Sequence, residues 1–165
     1  MHTDVDRSTA ATGLSSWSAN RLAVSGAFFA NGLVLGSWTP HVPVLAGRLG
    51  LGETQIGVLI LVFGIGAVAA MPVVGAVLAR FGSRRITLAL QFGLAFALPL
   101  LILAPMPVLA AAAILFFGMT MGGMDVAMNS NAVVVERRLP RAIMSSCHGF
   151  WSIGGFVGAA LGGVL

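Results

Sequence analysis

Asp125 is the acidic residue that lies inside a long apolar stretch, and it is the first candidate for chemistry in this sequence. Burying a carboxylate in a membrane costs a few kcal/mol, so such a group is expected to face a partner or a water-filled cavity. Asn129 follows four residues later, on the same face of a helix. The pair predicts either a substrate- or proton-binding site, or an acid near the cytoplasmic interface that pairs with a loop arginine.

The helical stripe around Asp125 combines small and polar residues. Offsets of four, seven, eleven and fourteen residues place its members on one side of a helix. Such a stripe suits an inward or cavity-lining face, and we expect it to belong to a binding cavity. Its members are Gly118, Gly122, Asp125, Asn129 and Ala132.

His148 is the second titratable candidate and lies near the start of the last apolar stretch. If the two helices are antiparallel, His148 and Asn129 lie at similar depth, with Asp125 about 6 Å deeper at 1.5 Å per residue. A histidine beside a carboxylate can titrate in the physiological range. His148 is therefore either a proton relay or a structural histidine that bonds a group on the neighbouring helix.

Three further side chains are candidates for the same cavity, namely Asn31, Trp38 and Trp151. A tryptophan can stack on a ring-shaped substrate, but tryptophans near a membrane surface also act as interfacial anchors, and both interpretations stay open. The sequence contains no His/Cys spacing typical of a metal site, no phosphate loop and no Ser/His/Asp arrangement. We therefore expect no enzyme activity, no cofactor and no metal.

The composition predicts that these residues are held by membrane helices. Of the 165 residues, 58% are hydrophobic and only 8% are charged, against about 25% charged in a soluble domain. This excludes an ordinary soluble domain, and the hydrophobicity excludes intrinsic disorder. The 22 glycines favour close packing of helices in a bilayer. The arginines are scattered between apolar runs, so we expect no nucleic acid as a partner.

Five apolar stretches are long enough to cross a bilayer core about 30 Å thick. The uncharged stretch after Arg85 is too long for one span, and Pro105 and Pro107 should break it in two. Residues 1–20 are expected to be a disordered cytoplasmic tail, and residues 21–165 a transmembrane bundle. The sequence predicts an all-α polytopic membrane protein with spans at about 22–45, 54–79, 86–104, 108–131 and 142–165.

The arginines predict the orientation of these spans. If the N-terminus is cytoplasmic, eight of the nine arginines lie on the cytoplasmic side and only Arg48 lies outside. Loops rich in Lys and Arg stay on the cytoplasmic side of membranes. We therefore expect a multi-pass protein of a bacterial cytoplasmic (inner) membrane with its N-terminus in the cytoplasm.

The loop between the second and third predicted spans is compact and basic. Its tight turn requires a glycine for permissive backbone dihedrals. The loop resembles a signature of the major facilitator superfamily, Gly-x-Leu-Ala-Asp-Arg-x-Gly-Arg-Arg, with Ala79 in place of the Asp and Ser83 in place of an Arg. The resemblance implies a cytoplasmic gate formed by Gly75, Arg80, Gly82, Arg84 and Arg85.

Other segments resemble a branch of that superfamily that contains bacterial inner-membrane proteins of unassigned substrate. They are Ser37-Trp38-x-x-x-x-Pro43, Asp125-Val-Ala-Met-Asn129 and Met144-x-x-x-His148-Gly149. The family fold has two six-helix halves, and this chain resembles the N-terminal part of it.

The resemblance implies that the intact protein moves a small solute by alternating access, here as an incomplete fragment. Its partners would be the lipid bilayer, an unidentified small molecule, a proton as candidate coupling ion, and the missing C-terminal helices or a partner half. The glycine stripes of the last span also support an alternative, a small non-transporting membrane interaction protein.

Overall fold

The structure is a computed structural model that describes the backbone of residues 3–164 and the side chains of residues 19–164. The described chain is helical, with short connections. Its elements are α1 (Thr3–Trp38), α2 (His41–Leu49), α3 (Glu53–Phe81), α4 (Ser83–Ile102), α5 (Pro107–Glu136) and α6 (Met144–Gly162). The predicted all-α class is confirmed.

The helix boundaries follow the residues that resist helical geometry. Pro40 lies between α1 and α2, and the segment Ala19–Trp38 meets α2 at an angle of 43°. Gly82, at φ +80°, is the single residue between α3 and α4. The chain reverses between α4 and α5, and Pro107 begins α5, where a missing N–H is tolerated. The break that Pro105 and Pro107 predicted is therefore present.

The prediction of five transmembrane helices is not confirmed. Three described helices, α3, α4 and α5, are long and apolar enough to cross a membrane, and there are four if the bent pair of α1 and α2 forms one span. The fifth predicted span corresponds to α6, which is not among them. The reason is its composition, since Ser145, Ser146 and His148 lie among its first residues and glycine recurs along its length.

The first helix differs from its expected extent. The backbone of α1 is helical from Thr3, whereas we expected residues 1–20 to be disordered. The side chains of residues 1–18 lie outside the described part of the structure, so the cytoplasmic tail stays a prediction.

Two pairs of parallel helices form the bundle, α1 with α6 and α3 with α5. Glycines line both crossings, because a Cβ there would overlap the facing backbone. A Cβ on Gly158 would lie 2.1 Å from the carbonyl oxygen of Leu33, and one on Gly118 would lie 2.1 Å from that of Phe63. The glycine spacing of the last span therefore serves helix packing, as expected from its repeat of four.

The two glycines of the predicted cavity stripe on α5 lie against a neighbouring helix and not, as we had expected, on a cavity face. Gly118 and Gly122 pack against the α3 backbone at Phe63 and Ala67, and Ala132 is fully buried. Asp125 is exposed. The stripe is thus buried at both ends and exposed at Asp125, because α3 contacts only its first part.

The core consists of two apolar clusters that fill the space between the pairs of helices. One surrounds Phe117 and contains residues of α1, α2, α4 and α5. The other surrounds Phe28 and contains residues of α1, α5 and α6. The two clusters hold α1 and α5 against each other, and these are the helices that carry Asn31 and Asp125.

Candidate functional site

Asn31 forms the polar link at the centre of the bundle. Its side chain is 2% exposed, among the most buried polar groups of the described chain. The Nε1–H of Trp151 on α6 donates to Asn31 Oδ1 at 2.8 Å, and Asn31 Nδ2 donates to the Sδ of Met121 on α5 at 3.5 Å. The amide therefore ties α1 to both α5 and α6.

This link depends on the close approach of α1 and α6. A Cβ on Gly32, the residue after Asn31, would lie 2.0 Å from the carbonyl oxygen of Trp151. The two backbones touch here, so the short Asn31 side chain reaches the indole of Trp151 directly. Two candidate residues that are far apart in sequence are thus brought together.

His148 lies one helical turn before Trp151 and packs against Phe28, one turn before Asn31. The ring centroids of Phe28 and His148 are 5.3 Å apart with an interplanar angle of 77°. Phe28 is fully buried, whereas His148 is exposed. The imidazole ring therefore packs against an aromatic ring of α1, while the residue as a whole stays exposed.

Asp125 and Asn129 form a pair on α5. The Nδ2 of Asn129 donates to the carbonyl oxygen of Asp125 at 2.8 Å and to its Oδ1 at 3.2 Å. Asp125 lies eleven residues before Glu136, the last residue of α5, or about 16 Å along the helix axis. The carboxylate is thus far from the helix end and is exposed on the bundle.

The structure does not join Asp125 to His148. Asp125 is bonded to Asn129 on its own helix, whereas His148 packs against Phe28 on α1. The candidates therefore divide into two groups, the link of Asn31 with Trp151 and His148 beside it, and the pair of Asp125 and Asn129. Their assignment to one cavity stays a prediction.

Trp38 is buried rather than at a lipid interface. It is 9% exposed and lies in the cluster around Phe117, with the two ring centroids 6.3 Å apart and an interplanar angle of 76°. The tryptophan packs between α1 and α5, at the end of α1 next to the bend at Pro40. Its position fits a packing role at that bend.

The basic loop between α3 and α4 is almost entirely helical. Gly82, at φ +80° and ψ 151°, separates the two helices, which confirms that this turn requires glycine. Arg80 belongs to the last turn of α3 and lies over the Phe81 ring, 5.4 Å from its centroid. Arg84 and Arg85 are exposed in the first turn of α4, and Gly75 is exposed within α3.

Glu136 has a structural role that its place in a basic loop did not reveal. Its Oε2 accepts hydrogen bonds from the backbone N–H groups of Ile143 at 2.6 Å and Met144 at 2.9 Å. These groups lie at the start of α6, where helix donors have no partner within the helix. The end of α5 thus fixes the beginning of α6 through a charged side chain.

Phe28 and Met121 were also not among the sequence candidates, although they contact His148 and Asn31. Phe28 lies three residues before Asn31, and His148 lies three residues before Trp151. In each helix the two residues are three positions apart and therefore lie on one face. This matching spacing is a signal that could have predicted the contact of Phe28 with His148. Met121 gave no comparable signal, because methionines are scattered through the apolar stretches.

The described residues include no group of three or more His, Cys, Asp or Glu side chains that could hold a metal ion. What they do provide is a set of hydrogen-bonding and aromatic side chains on closely packed, apolar helices. The fold thus defines a helical membrane protein with three or four candidate spans among the described helices.

The chain belongs to the Major Facilitator Superfamily, whose sequence pattern it matches over residues 7–165. It is 43% identical over 164 residues to an uncharacterized MFS-type transporter of Yersinia pestis. It is also 38% identical over 139 residues to the uncharacterized transporter y4wD of Sinorhizobium fredii, and 34% identical over 143 residues to the membrane protein MosC of Rhizobium meliloti. The family consists of membrane transporters, which are generally not enzymes.

The matches extend over most of this chain but over a minor part of each relative. They include 99%, 84% and 87% of this chain, and 41%, 37% and 35% of the respective relatives. The chain thus spans about two-fifths of the length of its relatives and is a fragment of the family's architecture. No solved structure of another protein matches it.

Proposed function

We propose that this chain is the N-terminal part of a secondary carrier that moves a small solute across the bacterial cytoplasmic membrane by alternating access. In this proposal Asp125 is the central group of the binding cavity. The distribution of the arginines gives the orientation of the chain, with its N-terminus in the cytoplasm. The relatives in bacteria and the multi-pass character support this setting.

One observation carries the proposal, namely the exposure of Asp125 far from either end of a helix that qualifies as a membrane span. A carboxylate near the middle of the bilayer costs about 2.5–3.5 kcal/mol on insertion scales unless it has water or a partner. Asn129, a neutral amide on the same helix, bonds Asp125. The carboxylate is therefore expected to face an aqueous cavity that the rest of a full-length carrier encloses.

The link of Asn31 with Trp151 supports the same assignment. It lies where α1 and α6 are in backbone contact, and a rigid hydrogen bond there holds His148 one turn away at the bundle surface. Carrier sites lie at the interface between two halves. The exposed polar groups of this half, Asp125 and His148, would then face the second half across the solute, with a proton as candidate coupling ion.

The test expresses the full reading frame that contains this chain in intact cells, which are suspended in lightly buffered medium. A pH electrode follows the medium while a panel of sugars and small organic acids is added. We expect at least one solute to change the external pH, upward if the solute enters with protons and downward if it enters in exchange for protons. Asp125→Asn should lower the initial rate by at least about tenfold, the loss expected on removal of a charged hydrogen bond.

Glu53→Gln is the matched control, because Glu53 is an exposed acid in the first turn of α3 and should leave the rate unchanged. Equal rates for Asp125→Asn and the unaltered protein would contradict the site assignment. A reading frame without further membrane spans, together with a stable complex of this chain with another membrane protein, would favour the alternative of a non-transporting interaction protein.

A further inference from the structure

A separate polar cavity lies between α1, α4 and α5, beside the basic turn at Gly82. Its volume is about 180 Å³. Each of the three helices contributes at least one polar side chain to the lining, which contains Asn20, Arg84, Thr87 and Asn131. The remaining wall is apolar, and the candidate transport residues Asp125 and His148 are not part of it.

Thr87 is the unusual residue of this cavity. It is only 5% exposed, and its Oγ1 has no hydrogen-bond partner. A threonine in a helix commonly bonds the carbonyl four residues earlier, as Thr120 does to Phe116 at 3.0 Å. A buried hydroxyl without a partner is unfavourable by about 1–3 kcal/mol. Thr87 thus brings an unused hydrogen-bonding group to the wall of the cavity.

The charge of the lining favours an anion. Arg84 is exposed at the cavity, and among the described residues no carboxylate pairs with it. The Oδ1 of Asn131 accepts from Ser83 Oγ at 3.3 Å, which leaves the NH₂ group of Asn131 as a donor. A guanidinium, amide donors and a hydroxyl, with no acid among the described residues of the lining, are the groups that bind phosphate oxygens.

We propose that this cavity binds a phosphate group. The group can come from the headgroup of a phospholipid or from free phosphate, since both present the same oxygens. Leu88 lines the cavity and is 51% exposed, so apolar surface for an acyl chain lies beside the cavity on α4. A phosphate bound there would hold α1, α4 and α5 together at their arginine-rich end.

The experiment measures binding to the purified chain in lipid-free detergent micelles by native mass spectrometry. The probes are dioleoyl-phosphatidylglycerol, dioleoylglycerol (the same lipid without phosphate) and inorganic phosphate. We expect one phosphate-bearing molecule per chain and no specific binding of dioleoylglycerol. Arg84→Gln should weaken binding roughly tenfold or more, since it removes a charged hydrogen-bond donor.

Thr87→Val distinguishes a loss of phosphate binding from a loss of folding. It should weaken binding roughly twofold to tenfold, as expected for a neutral hydrogen bond, while the thermal stability of the ligand-free chain is unchanged or raised, because an unpartnered hydroxyl is removed. The matched controls are Arg141→Gln, an exposed arginine of the α5–α6 loop, and Thr54→Val in the exposed first turn of α3. Both should bind as the unaltered chain does.

Each outcome decides the question. Arg84-dependent retention of phosphatidylglycerol identifies a lipid headgroup site, and Arg84-dependent binding of inorganic phosphate alone identifies a free-phosphate site. Equal losses in Arg84→Gln and Arg141→Gln would show a general charge effect and overturn the proposal. The proposal is also overturned if neither phosphatidylglycerol nor inorganic phosphate binds, since the cavity would then hold water only. It is likewise overturned if dioleoylglycerol binds as tightly as phosphatidylglycerol, since the cavity would then hold an acyl chain only.

Discussion

The parallel contact of α1 and α6 makes a sharp prediction about two glycines of the same helix. Gly158→Ala would place a Cβ 2.1 Å from the Leu33 carbonyl oxygen, and real Cβ contacts essentially never fall below 3.0 Å. The backbone oxygen cannot rotate away, so the helices must separate by nearly 1 Å. A gap of 0.5–1 Å forfeits a quarter to a half of each contact's dispersion energy. Overpacking of this kind typically costs about 1–3 kcal/mol.

Gly149→Ala is the matched control, because a Cβ at Gly149 meets nothing within 4 Å. Alanine is the better helix former by about 0.5–1 kcal/mol, so this change should raise stability. The assay is unfolding of the purified chain in detergent by added SDS, followed by far-UV circular dichroism. The two substitutions should shift the midpoint in opposite directions. Equal shifts, or a stabilising Gly158→Ala, would refute the close contact of α1 with α6.

Two further predictions concern the central link and the turn before α4. Trp151→Phe should lower the free energy of unfolding by about 1–3 kcal/mol, because it leaves the buried Asn31 carbonyl without its donor. Adding Asn31→Leu should recover part of that loss in the same SDS titration, and a double variant no more stable than Trp151→Phe would contradict the link. Gly82→Ala should cost about 1–3 kcal/mol, since φ +80° with ψ 151° is a region that almost only glycine adopts. Gly75→Ala, in open helix, should not lower stability, and equal losses for both would exclude a backbone cause.

The sequence predicted the helical class and most helix boundaries because these depend on local properties. Pro105 and Pro107 disfavour a continuous helix, and Gly82 permits a turn with positive φ, and the chain breaks at both places. The number of spans was less predictable. The last stretch has no charge, but its serines, histidine and glycines leave α6 outside the helices that are apolar enough to cross a membrane.

The candidate site was predicted only in part, for a physical reason. Helical offsets correctly placed Asp125 one turn from Asn129, since both lie on one helix. The same offsets placed Gly118 on a cavity face, whereas it packs against the α3 backbone. A helical stripe is straight, but a neighbouring helix crosses it at an angle and contacts only a few residues.

The sequence by itself determined the membrane class, the family resemblance and the types of residue that could bind a solute, because composition and local motifs report them directly. Tertiary structure alone decided which of those residues meet. Asn31 and Trp151 are 120 positions apart, and their bond depends on glycines that let two backbones touch. The proposed phosphate site likewise depends on tertiary structure, because Arg84 and Thr87 of α4 meet Asn20 of α1 and Asn131 of α5 at one cavity. Contacts between distant segments depend on helix crossing geometry, which a linear pattern of residues does not specify.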